Sequence, residues 1–203
     1  MKLGPRYKIA RRLGAPIFEK TQTQKYALSL SRKEKSMRSK RRPRARSEYG
    51  LQLIEKQKAR FTYGISEKQF RNYVIKALSA SNPTQKLYSL LESRIDNVLY
   101  RARLVKTRAQ GRQASSHGHV MLNNRKITIP SILLSKGDEV ALGARSAESP
   151  LFSEWGERLG SEELPAWIEA DPKAKKLKIV GEPVYDRAQE VFDLEKVMEF
   201  YSR

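Results

Sequence analysis

The long apolar stripes of helical spacing in this chain of 203 residues all lie after Ser47. The stretch from Arg32 to Arg46 instead holds nine Lys or Arg, one Glu and one proline, without an apolar repeat of 3.6 or 2 residues. A segment of this composition buries too little apolar surface to order itself, so residues 1–46 are predicted to form an extended basic arm. Its removal is expected to leave a folded core.

Basic charge is concentrated in the same part of the chain. Residues 1–91 carry 23 Lys and Arg against 5 Asp and Glu, whereas residues 141–203 carry 9 against 13. The net charge of +19 favours an anionic partner, and nucleic acid is the commonest one for so basic a chain. The arm is either a solvated tail or a segment that folds along phosphates, and the surplus favours the second. Within it, residues 8–14 have the pattern of a short helix that ends at Gly14.

Three helices are predicted after the arm. The first ends at Gly64, the second opens at Ser66 with a capping-box pattern, and the third opens at Thr84 and runs as one apolar stripe to about Arg101. The apolar face of the first helix is predicted at Leu51, Ile54, Lys58 and Phe61.

The pattern changes to mixed helix and strand after Arg103. Thr107 opens a short helix, and strands are predicted at 120–122 and 125–129 around an Asn-Asn turn, which tolerates positive φ. The remaining predicted elements are a third strand within 136–142, acidic helical stretches within 148–172, a strand at 177–180 and a terminal element at 191–201. The predicted fold class is therefore α+β.

Motifs of catalysis and metal binding are missing from the sequence. The chain has no Cys, no Gly-rich phosphate loop and no His-plus-carboxylate spacing, so neither an enzyme nor a cofactor or metal site is expected. His117 and His119, two residues apart, fit a loop pair that bonds backbone or RNA better than a metal site. No run of 18 apolar residues is present, so no membrane helix is expected.

A cluster of basic residues without a neighbouring acid indicates binding instead. It comprises Arg101, Arg103, Lys106, Arg108 and Arg112. Arg108 and Arg112 are four residues apart on one helical face, and guanidinium groups at helix ends suit bidentate phosphate contacts. Polar groups follow closely, namely Gln113, Ser115, Ser116, His117 and Asn124. Because no DNA-binding motif is present, the pattern favours folded RNA.

The same residues resemble a known RNA-binding module, which is named after the fourth protein of the small ribosomal subunit. The matching stretches are Ser93 to Arg101, Thr107-Arg108-Ala109, Arg112-Gln113, His117 to Val120 and Ile129-Pro130-Ser131. The module also occurs in pseudouridine synthases, tyrosyl-tRNA synthetases and a heat-shock protein. Further stretches are similar to the ribosomal family itself: Gly4-Pro5-Arg6, Arg11 to Gly14, Ser47 to Leu53, Glu55 to Lys58, Phe61 to Gly64 and Glu199 to Arg203.

The resemblance implies a helical domain with an inserted RNA-binding domain. The expected parts are a basic arm at 1–46, a helical domain at 47–91 completed by 181–203, and an inserted domain at 92–180 with its module core at 92–142. Family members are structural proteins that bind small-subunit rRNA at a helix junction of the 5′ domain and nucleate assembly. They neighbour the fifth small-subunit protein and contribute to the mRNA entrance and to translational accuracy, in cytoplasmic or organellar ribosomes.

Two alternatives remain open at this point. An RNA-modifying or RNA-handling enzyme could carry the same module, but only about 60 residues follow it, which is too few for most catalytic domains. A nonspecific basic nucleic-acid protein would share the charge but not the preference for one RNA.

Several departures from the family pattern lead to expectations of their own. The missing Cys residues place the chain in the zinc-free branch, and the family's Pro-Pro-Gly-Gln-His-Gly segment is replaced by Lys35 to Arg46. The hairpin turn is Asn-Asn instead of Asn-Gly. Ala114 and Ser115 stand where larger apolar residues are typical, so looser packing of that helix is expected.

The arm, the cluster and the resemblance together give the candidate RNA-binding residues. These are Arg11, Arg12, Lys35, Arg38, Arg41, Arg42, Arg44, Arg46, Tyr49, Lys56, Lys58, Arg60, Arg94, Arg101, Arg108, Arg112, Gln113, His117, His119, Asn124 and Lys126.

Overall fold

The computed structural model describes residues 3–37, 47–161 and 163–202. They form two compact units, of which the first comprises the described residues up to Thr84 together with those from Asp186 onward. The second unit runs from Gln85 to Tyr185. The fold is α+β, as predicted, because the first unit is helical and the second contains an antiparallel sheet.

The first unit is built from helices whose ends follow local chemistry. They are α1 (Arg6–Leu13), a 3-10 helix (Glu19–Gln22), α2 (Gln24–Met37), α3 (Glu48–Tyr63), α4 (Glu67–Leu78) and α11 (Leu194–Tyr201). The Ser47 and Ser66 hydroxyls each accept a bond from the third helical N–H, at 3.3 Å. Gly14 and Gly64 end α1 and α3 in the left-handed conformation, at φ 72° and 62°, which glycine adopts without strain. The predicted stops at both glycines are confirmed.

Residues 6–37 hold α1, the 3-10 helix and α2, and several side chains between Ala10 and Tyr26 are buried, so the expectation of an extended arm is wrong for this part of the chain. A small apolar cluster forms from Ala10, Leu13, Ala15, Ile17, Phe18 and Tyr26. Ile54 and Phe61 of α3 pack against it. The prediction failed because these apolar residues are spread over two helices and a turn, where no single window shows a periodic stripe.

The buried face of α3 also differs from the predicted one. Leu51 is exposed, whereas Gln52, Lys56, Ala59 and Tyr63 are buried. Helices α4 and α11 explain why these polar residues are buried, because they supply hydrogen-bond partners for them. Gln52 Nε2 donates to Glu199 at 3.0 Å, and both Lys56 Nζ and the Tyr201 hydroxyl donate to Glu67 Oε1 at 2.8 Å. Buried polar side chains are tolerated where such partners are provided.

The second unit begins with three helices, which are followed by strands and further short helices. Its helices are α5 (Pro83–Glu92, which starts just before the unit), α6 (Ile95–Arg101), α7 (Arg108–Ser116), α8 (Ala144–Ala147), α9 (Pro150–Ser153) and α10 (Trp155–Ser161). Helix α5 opens with Pro83, not at Thr84 as predicted, since proline suits the first helical position.

The long stripe predicted from Thr84 to Arg101 is divided in two at Ser93 and Arg94. Arg94 is extended, at φ −65° and ψ 135°, and its backbone bridges to Leu133. The N–H of Ile95 donates to Ile132 O at 2.9 Å, and Ser93 O accepts from Leu134 N at 2.8 Å. Backbone hydrogen bonds to residues 132 and 134 therefore replace helical hydrogen bonds at this point. The apolar periodicity of the sequence does not reveal this break in the helix.

Five antiparallel strands form one sheet in the order β2-β1-β3-β5-β4. They are β1 (Val120–Leu122), β2 (Arg125–Lys126), β3 (Glu139–Leu142), β4 (Ile168–Asp171) and β5 (Lys176–Ile179). The Asn123-Asn124 turn is confirmed, with φ of 47° and 64°. Strand β2 is shorter than predicted because the chain turns so that Pro130 O and Ile132 O accept bonds from the start of α6. Strand β4 was not predicted.

The core of the second unit joins the helices to all of the longer strands. Val98 and Leu99 of α6, Val140 of β3 and Leu177 of β5 are buried in one cluster. Trp155 closes it, and its indole Nε1 donates to Ala102 O at 2.8 Å. The residues after the RNA-binding module therefore complete its core.

Candidate nucleic-acid interface

Two buried carboxylates organise the arginine cluster of the second unit. Glu92 ends α5 and Asp96 lies in the first turn of α6, and both are almost fully buried. Ionised groups are buried in proteins only when charged or hydrogen-bonding partners surround them. Four arginines supply those partners here, and three of these come from the cluster that the sequence singled out.

Glu92 holds Arg101 in a two-pronged contact. Arg101 Nε donates to Glu92 Oε2 at 2.7 Å, and its terminal nitrogen donates to Oε1 at 2.9 Å. Asn97 Nδ2 donates to the same carboxylate at 2.9 Å. The Arg101 side chain remains 27% exposed, so its guanidinium is fixed in orientation at the protein surface.

Asp96 joins a buried arginine to a surface one. Arg94 donates to both Asp96 oxygens, at 2.9 and 2.8 Å, and is only 2% exposed. Arg112 of α7 donates to Oδ2 through Nε at 2.9 Å and through a terminal nitrogen at 2.7 Å, while its side chain stays 30% exposed. The carboxylate therefore connects α6 to α7.

Arg108 is held by residues next to the Glu92 site. Its Nε donates to Asn97 Oδ1 at 2.6 Å, and its guanidinium lies over the Tyr100 ring at 4.4 Å. A terminal nitrogen lies 4.0 Å from Glu92 Oε1. The structure thus gathers Arg101, Arg108 and Arg112 around Glu92, Asp96 and Asn97.

Two sequence expectations about this cluster are wrong. Arg94 is buried against Asp96 and offers no surface to a phosphate, so it is a structural residue. The cluster also does not lack acids: Glu92 and Asp96 precede it, and Glu154 pairs with Lys106 at 2.9 Å from downstream. A count over a short window of sequence misses acids that the fold brings in.

Helix α7 packs closely against α6. A Cβ added at Gly111 would overlap the carbonyl oxygen of Asp96, so the two backbones approach more nearly than any side chain allows. Ala114 and Ser115 of the same helix are buried as well. The expected loosening of this helix is therefore wrong, because small residues permit the close approach.

An exposed polar patch adjoins Arg112 at the end of α7 and on the β1–β2 turn. It contains Gln113, His117, Asn124, Arg125 and Lys126. The Lys126 stem lies where a Cβ of Gly118 would stand, which places its ammonium near the C-terminus of α7. His119 is partly buried, and its Nδ1 forms a hydrogen bond with Ser146 Oγ at 2.9 Å. We call the exposed set the α7 patch.

The candidate residues of the helical unit are less uniform. Lys56 is buried in its ion pair with Glu67, so its predicted contact with RNA is wrong. Lys58 pairs with Glu55 at 2.7 Å, and Arg60 donates to Gln57 at 2.7 Å. Lys58 is therefore engaged within its own helix, whereas Arg60 also pairs with Glu67 of α4 at 3.4 Å.

The remaining described candidates lie on exposed or half-buried surface. Arg12 is exposed, and Arg11 Nε donates to the Tyr7 carbonyl at 3.0 Å. Tyr49 is half exposed, with its ring 5.4 Å from that of Phe200. The side chain of Lys35 in α2 is not among those described. Five further candidates lie outside the described residues, namely Arg38, Arg41, Arg42, Arg44 and Arg46.

Sequence reasoning missed the residues that position the arginines. Glu92, Asp96 and Asn97 occupy buried positions within an apolar stripe, and Tyr100 supports Arg108. A carboxylate inside a helical stripe of Leu, Ile and Val is the signal that could have revealed them, because such a charge requires a partner. Arg125 of the α7 patch was missed as well, although it adjoins Lys126.

Neither a metal cluster nor a membrane helix is found in the part of the chain that the structure describes. No group of three or more His, Asp and Glu residues there could hold a metal ion. None of the described helices is long and apolar enough to cross a bilayer.

Comparison with known proteins gives matches along most of the chain. Residues 2–92 match the family described as ribosomal protein S4/S9 N-terminal domain, and residues 93–140 match the S4 domain. The small ribosomal subunit protein uS4 of Borreliella burgdorferi (strain ZS7) is 39% identical over 200 residues, which cover 97% of this chain and 95% of the relative.

Further relatives carry the same name. The protein uS4 of Corynebacterium kroppenstedtii is 44% identical over 160 residues, covering 77% of this chain and 79% of the relative. That of Chlorobaculum tepidum is 39% identical over 158 residues, covering 77% and 78%. The order of the matched domains agrees with the helical unit and the arginine-bearing module described above. The chain therefore belongs to the uS4 family of small-ribosomal-subunit proteins.

Proposed function

We propose that this chain is a structural constituent of the small ribosomal subunit and binds its rRNA directly. The family supports this assignment, since the curated relatives are named as small-subunit ribosomal proteins. The observation that carries it at the level of chemistry is the fixed set of partly exposed guanidinium groups beside the α7 patch. Planar guanidinium groups held in one orientation suit bidentate contacts with phosphates of a folded RNA.

The finer assignment concerns the RNA site and the role in assembly. We propose that the site is a helix junction in the 5′ domain of the 16S-type rRNA and that binding there nucleates assembly and supports translational accuracy. The fifth small-subunit protein is the proposed neighbour, and mRNA at the ribosomal entrance is a proposed further contact. The place of action is the ribosome, in the cytoplasm or in an organelle.

The role is proposed to be non-enzymatic. An RNA-modifying enzyme with this module would need a separate catalytic domain. Here Phe152, Trp155, Ile168 and Ile179, which follow the module, are buried in the module's own core. These residues therefore belong to the core of the module and not to a separate domain.

A competition experiment tests the proposed function. The full chain is titrated against a transcript of the 16S 5′ domain, with bulk tRNA as competitor, at matched ionic strength. Specific recognition predicts a preference for the rRNA of at least about 10³-fold. Equal affinity for both RNAs at several salt concentrations would leave only the nonspecific electrostatic binding that any basic chain shows.

A further inference from the structure

Burial of the Glu92 carboxylate removes its hydration, and its surroundings must offset this unfavourable free energy. It is 1% exposed and lies in a unit that already needs its basic charge for an anionic partner. A buried ion pair contributes little net stability compared with well-packed apolar residues of the same volume. Stability alone therefore does not account for an acid at this position.

The contacts of Glu92 are directional. It accepts two bonds from Arg101 and one from Asn97, and Asn97 in turn accepts from Arg108 Nε at 2.6 Å. Two partly exposed guanidinium groups are thereby fixed through one carboxylate. Long arginine side chains would otherwise lose rotamer entropy when they bind a phosphate.

We propose that Glu92 is a positioning residue for RNA recognition, which holds Arg101 and Arg108 in the orientation that a pair of phosphates requires. The inference rests on the proposed function and adds a cause for its specificity. On this account the carboxylate lowers the local positive charge and nevertheless strengthens binding to the correct RNA, because orientation contributes more than one unit of charge.

A purely electrostatic role and a positioning role of Glu92 predict opposite changes in RNA affinity for one substitution. Glu92→Gln removes a negative charge with almost no change of shape, so a purely electrostatic surface would bind RNA more tightly. A positioning role predicts weaker binding to the rRNA, because the two-pronged contact with Arg101 is lost. Glu154→Gln is the matched control: it makes the same charge change in the same unit, at an exposed pair with Lys106.

The test measures the affinity of the full-length variants for the 5′-domain transcript and for bulk tRNA, together with thermal unfolding. For Glu92→Gln we expect about tenfold weaker rRNA binding and unchanged or tighter tRNA binding. Glu154→Gln is expected to bind both RNAs as the wild type does or slightly more tightly. Equal rRNA affinity of the two folded variants would overturn the proposal.

A second variant separates a positioning role of Glu92 from a purely structural one. Glu92→Asp keeps the charge that compensates the arginines but withdraws the carboxylate by one methylene, so it should weaken rRNA binding with an unchanged salt dependence. Full affinity of this variant, or failure of both Glu92 variants to unfold cooperatively, would show that the carboxylate is only structural. The wild-type preference for rRNA over tRNA tests the proposed function separately.

Discussion

At the residue scale, the module depends on small groups in close contact as much as on its arginines. Gly111 lets α7 approach the backbone of α6, and this approach brings Arg112 to Asp96. The geometry of the charged side chains therefore follows from a position without a side chain. A substitution there should affect both stability and the placement of Arg112.

Gly111→Ala is expected to destabilise the protein by about 1–3 kcal/mol, because the new methyl group would overlap a backbone carbonyl. Gly160→Ala in α10 is the control, since no atom lies within 4 Å of its added Cβ. That change should be neutral or stabilise by up to about 1 kcal/mol. Urea unfolding of both variants measures the difference, and equal effects would contradict the close packing of α6 and α7.

Lys126→Ala tests the α7 patch. If this ammonium contacts a phosphate, its removal should reduce the slope of log K against log salt by about 1 for the 5′-domain transcript. Lys176→Ala is the control, because that side chain lies on β5 and pairs with Glu139 at 2.6 Å. An unchanged slope for Lys126→Ala would remove the residue from the interface.

At the element scale, α11 is attached to α3 and α4 by a cluster that responds to pH. Burial acts to raise the pKa of Glu67, but hydrogen bonds from Lys56 and Tyr201 and the charge of Arg60 outweigh it, so the pKa lies below its ordinary 4.5. Burial, followed by the bond to Glu67, raises the pKa of Tyr201 above its ordinary 10.0.

The two shifts predict stability changes at opposite ends of the pH scale. The contribution of Glu67 is present above pH 4.5 and should be lost as the pH falls through its lowered folded-state pKa. That of Tyr201 is present below pH 10.0 and should decline as the pH rises above that value. Unfolding of Glu67→Gln and Tyr201→Phe against pH measures this. Each variant should flatten its own limb most and the other limb in part, because the two groups are hydrogen-bonded to each other. Unchanged limbs in both variants would contradict the attachment.

The N-terminal cluster is the element for which the sequence was least informative. Tyr26→Ala should destabilise the protein by about 3 kcal/mol, because its buried ring packs 5.3 Å from that of Tyr7. Leu28→Ala, two residues further along α2, removes a side chain that is 60% exposed and should have little effect. Equal loss of stability in the two variants, or none in either, would restore the interpretation as an arm without a core.

An element could be predicted from the sequence when its hydrogen-bond partners are close to it in the chain. Caps at Ser66 and Thr107 and the Asn123-Asn124 turn were predicted because their partners are local in sequence. The break at Arg94 could not be, because it is stabilised by backbone bonds to residues more than 30 positions away. The predicted buried face of α3 was wrong for the same reason, since α11 supplies the partner of Gln52 and α4 that of Lys56.

In the candidate site, too, local patterns were predictable and long-range contacts were not. The sequence singled out Arg108 and Arg112, and both are bonded to residues of α6. The burial of Arg94 and Lys56 follows from contacts with Asp96 and Glu67, which the sequence did not reveal. Charge counts along a sequence cannot separate an arginine that faces solvent from one that neutralises an internal carboxylate. The structure makes this distinction for each described residue.

At the scale of the whole molecule, part of the acidic charge near the C-terminus is compensated by ion pairs within the protein. Acids of the last third pair with basic residues of their own unit: Glu154 with Lys106, and Asp193 with Arg187 at 2.9 Å. The large surplus of the first 91 residues is not matched in this way, because the chain holds only 5 acids there. A polyanionic partner is the natural counterpart of that surplus.

The most direct test of the central claim is the sedimentation of the tagged full-length chain from cells that produce it. We predict that the chain migrates with the small ribosomal subunit in a sucrose gradient and remains there after a wash with high salt, as specific assembly requires. Recovery with free protein at the top of the gradient, or release from the subunit at moderate salt, would contradict the assignment as a structural constituent.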